Sequence, residues 1–267
     1  GQIPTVVAIT GTNGKTTSQT MLSAILDQVP GVKVLRNKAG ANLSQGILSE
    51  LLKQSNAFGR LDFTHAVLEV EEATLPRIAS RLQPSIVAVT NLYRDQLDAY
   101  GEIDRTEKLI REGIAQCPTA AVVVNGDDPR TARLTQGLAN ATYFVSLAPE
   151  YARFLPYEGK LNPRDASSQG LEATQIHINE DLTTDFAIQG QMNGGAVQIP
   201  HARTVSPGFF HVYNALTAIA IANLLGVNGD TAVAGLKTFK PAFGRGEMLV
   251  QQQGSKQVNY RLLLVKN

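Results

Sequence analysis

The sequence predicts an α/β protein with a doubly wound, mostly parallel sheet. Three observations lead there. Short apolar runs alternate with amphipathic runs of helical period, the pattern of buried parallel strands covered by helices on both faces. The first apolar run, Thr5 to Thr10, passes into a glycine-rich turn, Gly11-Thr12-Asn13-Gly14, and then into a helical run holding Met21, Leu22, Ala24, Ile25 and Leu26. Polar residues gather where the strands end: Lys15 and Thr16, Glu69, Thr90 and Asn91, Asn125 and Asp128. Sheets of this kind take ligands at the carboxyl ends of their strands.

The elements follow in order. Val32 to Leu35 is a short strand, and Arg36 to Asn42 a polar, basic loop. Residues 43–54 carry Leu43, Ile47, Leu48, Leu51 and Leu52 at helical spacing. Ala66 to Val70 is a buried strand with Glu69 just past its middle; residues 73–81 are helical; Ile86 to Val89 is another buried strand. A polar loop from Tyr93 to Glu102 leads to a helix at about 103–116, and Ala120 to Val124 is a fifth apolar strand, followed by a helix and a strand near Thr142 to Val145. Residues 147–205 differ, with prolines, glycines and short alternating stretches that predict an antiparallel excursion of two to four strands. Helices at 209–226 and 229–238 follow, then a linker from Phe239 to Gly246 and two strands near 247–253 and 258–265. The expected division is one domain over 1–240, with 147–205 as a β-rich insertion, and the linker and first strands of a truncated α/β domain over 241–267.

Composition narrows the function classes. The chain has 267 residues, 43% of them hydrophobic, enough for a sizeable core. A net charge of +1 gives no global attraction to nucleic acid or membrane, while local basic patches stay open. Cys117 is the single cysteine, so no internal disulfide and no all-cysteine zinc site can form, and no zinc is expected. No apolar run approaches the roughly 18 residues of a membrane span, and the first residues do not resemble a signal peptide. The expectation is a soluble, cytoplasmic protein. The chain starts almost on a core strand and stops in one, which suggests a fragment or the ordered part of a longer protein.

The glycine turn is the chemical centre. Its backbone N–H groups and the positive end of the following helix would face one point, where a polyphosphate fits. Lys15 would add a charge for the β/γ oxygens, and Thr16 a hydroxyl for Mg²⁺. The common phosphate-loop pattern has a glycine where this chain has Ile9, so Gly11 turns the chain from within the loop. A strand–helix turn with a solvent-facing lysine is the plainer alternative. A carboxylate in an apolar strand is costly unless partnered. Glu69 therefore needs either a Lys or Arg in a structural ion pair, or Mg²⁺ shared with Thr16 and phosphates. Glu71 would share Glu69's face, and Glu71 or Glu72 could be a solvated acid at a helix start.

Thr10 to Thr17 resembles the phosphate loop of the Mur ligase family, the ATP-dependent amide-forming enzymes of peptidoglycan assembly. Leu68-Glu69-Val70-Glu71-Glu72-Ala73, Thr90 to Asp98, Tyr100-Gly101-Glu102 and Asn125-Gly126-Asp127-Asp128-Pro129 are similar to that family in the same order. Phe243-Gly244-Arg245-Gly246-Glu247 and Leu262 to Asn267 narrow the resemblance to the ligase-like subunits that work with a GatD-like glutaminase to amidate the glutamate of lipid II. The resemblance implies that residues Gly11, Thr12, Asn13, Gly14, Lys15, Thr16 and Thr17 hold ATP, that Thr16 and Glu69 ligate Mg²⁺, and that Lys15 and Glu69 are catalytic. It further implies that Asn91, Asn125 and Asp128 build the nucleotide pocket, that Asn214 meets adenine, and that Arg245 reaches the phosphates. Plainer readings stand beside these: an Asx turn before Pro129, a capping or solvated amide at Asn214, a solvated linker arginine.

Four departures qualify the resemblance. Amino-acid-adding members usually carry His where this chain has Gln96, and their modified lysine would fall near Ile110, with Lys108 out of phase. The four-cysteine zinc ribbon of many glutaminase-coupled members is impossible here, so 147–205 must rely on its own core. The usual Asn three residues before Asn214 is His211. The domain implied to carry an assisting Asp and to meet the glutaminase lies beyond Asn267, so the chain alone is expected to be inactive. The implied chemistry is carboxylate activation through an acyl phosphate, near the inner face of the membrane. Two rivals remain: a Mur-type or folylpolyglutamate-type ligase that adds an amino acid, and a nucleotide-binding interaction module without turnover.

Overall fold

A computed structural model describes residues 5–38, 40–93, 102–155, 168–241, 245–253 and 256–263. The chain runs β1 (Thr5–Thr10), α1 (Lys15–Leu26), β2 (Val34–Arg36), α2 (Ser44–Gln54), β3 (His65–Glu69), α3 (Leu75–Leu82), β4 (Ile86–Val89), α4 (Glu102–Ala115), β5 (Ala121–Asn125), a one-turn α5 (Pro129–Ala132) and β6 (Thr142–Leu147). A 3-10 turn (Pro149–Phe154) leads to β7 (Gly170–Ile178), β8 (Thr184–Met192) and β9 (Gly195–Thr204). Then come α6 (Phe209–Leu224), α7 (Gly229–Thr238), β10 (Arg245–Gln253) and β11 (Lys256–Leu263). The motif segment 94–101 lies outside the described residues.

Nine strands form one sheet in the order β2-β3-β1-β4-β5-β6-β7-β8-β9, parallel from β2 through β7 and antiparallel from β7 to β9. The alternation of side chains along each strand divides the core in two. In β1, Val7 and Ile9 join α1, α6 and α7 on one face, while Val6 and Ala8 join α3 and α4 on the other. Helix α6 is apolar all round and buried from Val212 to Ala222, as a core helix must be. Cys117 is buried, donates to the Ala79 carbonyl at 3.4 Å, and burial raises its thiol pKa, so it packs as a small apolar residue.

Residues 147–205 differ from the expected excursion with its own core. β7 pairs in parallel with β6, so the segment extends the main sheet. Leu171, Ala173, Phe186, Ile188, Ile199 and Ala202 enter the same core as α6. The backbones meet so closely at Gly170 that a Cβ there would come within 1.9 Å of the Phe144 carbonyl oxygen. Glu69 lies at the end of β3, among the strand ends where polar residues were expected to gather, one residue nearer the end than the Ala66 to Val70 strand implied. The linker after Phe239 is shorter than expected, because β10 begins at Arg245 and pairs with β11 in a separate two-stranded sheet.

On the exposed face of β8 and β9, Arg203 grips Asp185 through Nε and Nη2 at 2.6 and 2.7 Å, and Asn179 adds a bond at 2.8 Å. These contacts hold the Asp185 pKa down at about 2. A depressed carboxylate stabilises the fold above its unfolded pKa, and that contribution disappears as pH falls from about 4 towards 2. Arg203→Gln should lower stability at neutral pH and leave it nearly unchanged near pH 2, so that part of the curve flattens, measured by thermal melting from pH 7 downward.

Candidate functional site

The strand order places β1 between β3 and β4, so the loop leaving β1 opens into the crevice between the ends of two neighbours. Gly11 and Gly14 make this possible. Gly14 caps α1 with φ of 87°, in the left-handed region, and contributes no side-chain cap to the first-turn N–H groups. A Cβ on Gly14 would lie 2.2 Å from Asn214 Oδ1, and one on Gly11 would lie 2.4 Å from Thr90 Oγ1. The loop is thus pinned from both sides. Thr12 N–H donates to the Asn91 carbonyl at 2.9 Å, and Asn13 N–H donates to Asn91 Oδ1 at 3.0 Å. Asn91 Nδ2 and Thr90 Oγ1 both donate to the Asn13 carbonyl, at 3.0 and 2.6 Å.

The charged groups converge on this loop. Thr16 Oγ1 donates to Glu69 Oε2 at 2.6 Å, and both residues are buried. Thr17 is buried beside them. Lys15 Nζ folds back on the Gly11 carbonyl and pairs with Glu72 Oε1 at 3.0 Å. Glu71 accepts from Asn42 Nδ2 at 2.9 Å. Its pKa is pushed up to about 7, because it shares a hydrogen bond with Glu72, lies partly buried and feels the charge of Glu72. Neither acid starts a helix in solvent, as one alternative held: α3 begins at Leu75, and Glu72 is 8% exposed.

Asn37 went unremarked in the sequence, yet it holds Glu69 in place. Its Oδ1 accepts from the Glu69 N–H at 2.9 Å and from Gln19 Nε2 at 2.8 Å, while its Nδ2 donates to the Glu69 and Ala41 carbonyls, both at 2.8 Å. The amide thus uses two donors and two acceptor sites, and ties β3, α1 and the loop after β2 together. The rule that polar residues at strand ends form the site could have singled it out, since Asn37 directly follows β2.

The other predicted residues lie around this centre. Asn214 Oδ1 accepts from Ser18 Oγ at 3.3 Å and touches the loop glycine, so its amide braces α6 against α1. Asn125 Oδ1 accepts from Asp127 N–H at 3.0 Å, an Asx turn. Asp128 caps α5 through Arg130 N–H at 2.9 Å and accepts from Leu92 N–H at 2.8 Å, which links the ends of β4 and β5. Burial raises the Asp128 pKa against the pull of those donors. Ile110 is fully buried in the core and Lys108 is exposed. The side chain of Arg245 and residue Gln96 lie outside the described residues.

A lysine ammonium, a threonine hydroxyl beside a buried carboxylate, and the free N–H groups of a helix start suit a polyphosphate with a hard divalent cation. The donor set is all oxygen, and no group of three or more His, Cys, Asp or Glu among the described residues could hold a metal alone. Mg²⁺ characteristically uses one or two protein ligands and completes its shell with phosphates and water, so the residues fit it.

Residues 9–222 match the Mur ligase middle domain family. The chain is 33% identical over 290 residues to the MurT subunit of lipid II isoglutaminyl synthase (glutamine-hydrolyzing) of Streptococcus pneumoniae, covering 98% of this chain and 61% of that protein. It is 26% identical to the UDP-N-acetylmuramoylalanine–D-glutamate ligase of Pelotomaculum thermopropionicum, covering 95% of this chain and 48% of that one. The fold is similar to that of MurF from Acinetobacter baumannii, with a TM-score of 0.72 at 23% identity over 94% of this chain and 48% of that one. The chain therefore spans about half to three fifths of the length of these relatives.

Gly14→Ala should lower stability by about 2 kcal/mol or more, from the left-handed backbone and the clash with Asn214. Adding Asn214→Ala should return the clash part alone, which chemical denaturation of the single and double variants would measure. Asn37→Ala should cost about 3 kcal/mol by stranding buried donors and acceptors. It should also weaken Mg²⁺-dependent nucleotide binding, read by calorimetry, in protein that is still folded.

Proposed function

The chain belongs to the Mur ligase family, and on that premise we propose that it is the ATP-binding, carboxylate-activating part of a ligase-like subunit that amidates the D-glutamate of lipid II. The observation that carries this reading is the convergence of Lys15 with the Thr16–Glu69 pair on one strand-end loop. The similarity to a MurT subunit across 98% of the chain supports the choice within the family. Residues 1–240 form the central ligase domain, and 241–267 begin the next one, to which the separate β10–β11 sheet would belong.

Thr16 and Glu69 would hold Mg²⁺, which when bound offsets the charge of phosphate oxygens. Lys15 must leave the Gly11 carbonyl and Glu72 to donate to the terminal phosphate. Thr90 and Asn91 keep the loop in one shape, so the first-turn N–H groups of α1 stay aimed at one point. The substrate carboxylate oxygen attacks the γ-phosphorus and ADP leaves, forming an acyl phosphate. Ammonia from a GatD-like glutaminase then attacks the acyl carbon, loses a proton and expels phosphate, leaving the amide. Asn214, Asn125 and Asp128 shape the nucleotide pocket in this reading, and Arg245 completes it when the domains close. The burial of Ile110 and the exposure of Lys108 leave α4 without an inward lysine there, which favours ammonia over an added amino acid. No helix among the described residues is long and apolar enough to cross a membrane, and the proposed setting is the cytoplasmic face.

The test co-expresses the full-length protein carrying this chain with candidate glutaminases, and follows glutamine- and ATP-dependent amidation of lipid II by mass spectrometry. Lys15→Ala and Glu69→Ala should each cut turnover by at least about 100-fold. Full activity in either variant would remove the site assignment. Tight ATP binding without amide formation by any pairing would leave a nucleotide-binding module instead.

A further inference from the structure

We propose that α2 and the turn after it form a docking surface for an anionic membrane. Exposed large apolar side chains concentrate here: Leu43, Leu48 and Leu52 are 53%, 57% and 63% exposed, and Phe58 is 89% exposed. Helix α2 buries Ile47 and Glu50 against the body of the protein and leaves Leu48 and Leu52, one turn apart, in solvent. Phe58 sits at the tip of a tightly built turn. Asn56 Oδ1 accepts from Phe58 N–H and Arg60 N–H at 2.9 and 3.0 Å, and Asn56 N–H donates to the Arg60 carbonyl at 2.9 Å. A turn already ordered by these hydrogen bonds has little chain entropy left to lose on contact, which suits insertion of Phe58 into another apolar phase.

Charge selects the occupant. Arg36, Lys38, Lys53 and Arg60 are exposed around this apolar stripe. Of the carboxylates in the same stretch, Glu50 is buried and bonded to Gln54, and Asp62 is tied to Lys33. Apolar side chains flanked by four exposed cations, with Asp62 the exposed carboxylate of the stretch and paired to Lys33, match the acyl boundary and anionic headgroups of a bilayer surface. The surface also has a route to the site: α2 follows the loop in which Asn37 clamps Glu69 and Asn42 meets Glu71. The β2 edge of the sheet would thus face the membrane, with a lipid-linked head group approaching the carboxylates along this loop.

The use of this surface rests on the lipid-linked-substrate reading, and ATP binding measured on the same preparation separates the two. The experiment floats the full-length protein carrying this chain with vesicles of phosphatidylcholine alone or mixed with phosphatidylglycerol. Binding should appear with phosphatidylglycerol, fall at high salt, and weaken ~10-fold in Phe58→Asp and again in Lys53→Glu with Arg60→Glu. Melting temperature and ATP affinity should not change in these variants. Absence of binding to the mixed vesicles, equal binding to neutral ones, or undiminished binding by Phe58→Asp would overturn the proposal while leaving the nucleotide site intact. A dimer in sedimentation that Phe58→Asp dissociates, without lipid binding, would make the surface a self-interface and also overturn it.

Discussion

A carboxylate that is 4% exposed at the end of an interior strand must be answered by donors, and the site is built around meeting that demand for Glu69. The Thr16 hydroxyl answers the charge directly. Asn37 answers the backbone on both sides of it, and Gln19 holds Asn37. These contacts join β3, α1 and the loop after β2, so the group best suited to hold a cation also locks three elements together. The phosphate loop is fastened separately, by Thr90 and Asn91 from β4's end and by Asn214 from α6. Its shape is set before any phosphate arrives, which is what electrostatic stabilisation without reorganisation requires.

Lys15 is the exception to this rigidity. It lies against a loop carbonyl and Glu72, contacts that it would exchange for phosphate in the proposed reading. The Glu71–Glu72 pair keeps strong negative character beside the loop, tempered by the proton that Glu71 retains up to about pH 7.

The strands and helices were legible because apolar runs of period two and 3.6 are local. β4 lies where its residues predict, and α2, α4, α6 and α7 fall within two residues of expectation. The segment 147–205 was not, since short alternating strands look the same whether they form a separate sheet or extend an existing one. Asn37 was passed over, and Glu72 was read as a possible solvated acid, for a similar reason. An asparagine in a polar loop and one of two adjacent glutamates have no periodic signature, and their roles depend on partners 32 and 57 residues away.

By itself the sequence determined the α/β class, the glycine loop, the likeness to a ligase family and a set of residues whose chemistry suits phosphate and a cation. All of these are carried by local pattern and residue chemistry. Only the tertiary structure decided that β1 lies between β3 and β4, which brings Glu69 within 2.6 Å of Thr16, and that Lys15 pairs with Glu72 in place of Glu69. Strand order and side-chain pairing follow from burying two apolar faces at once, a global packing condition that no short stretch of sequence contains.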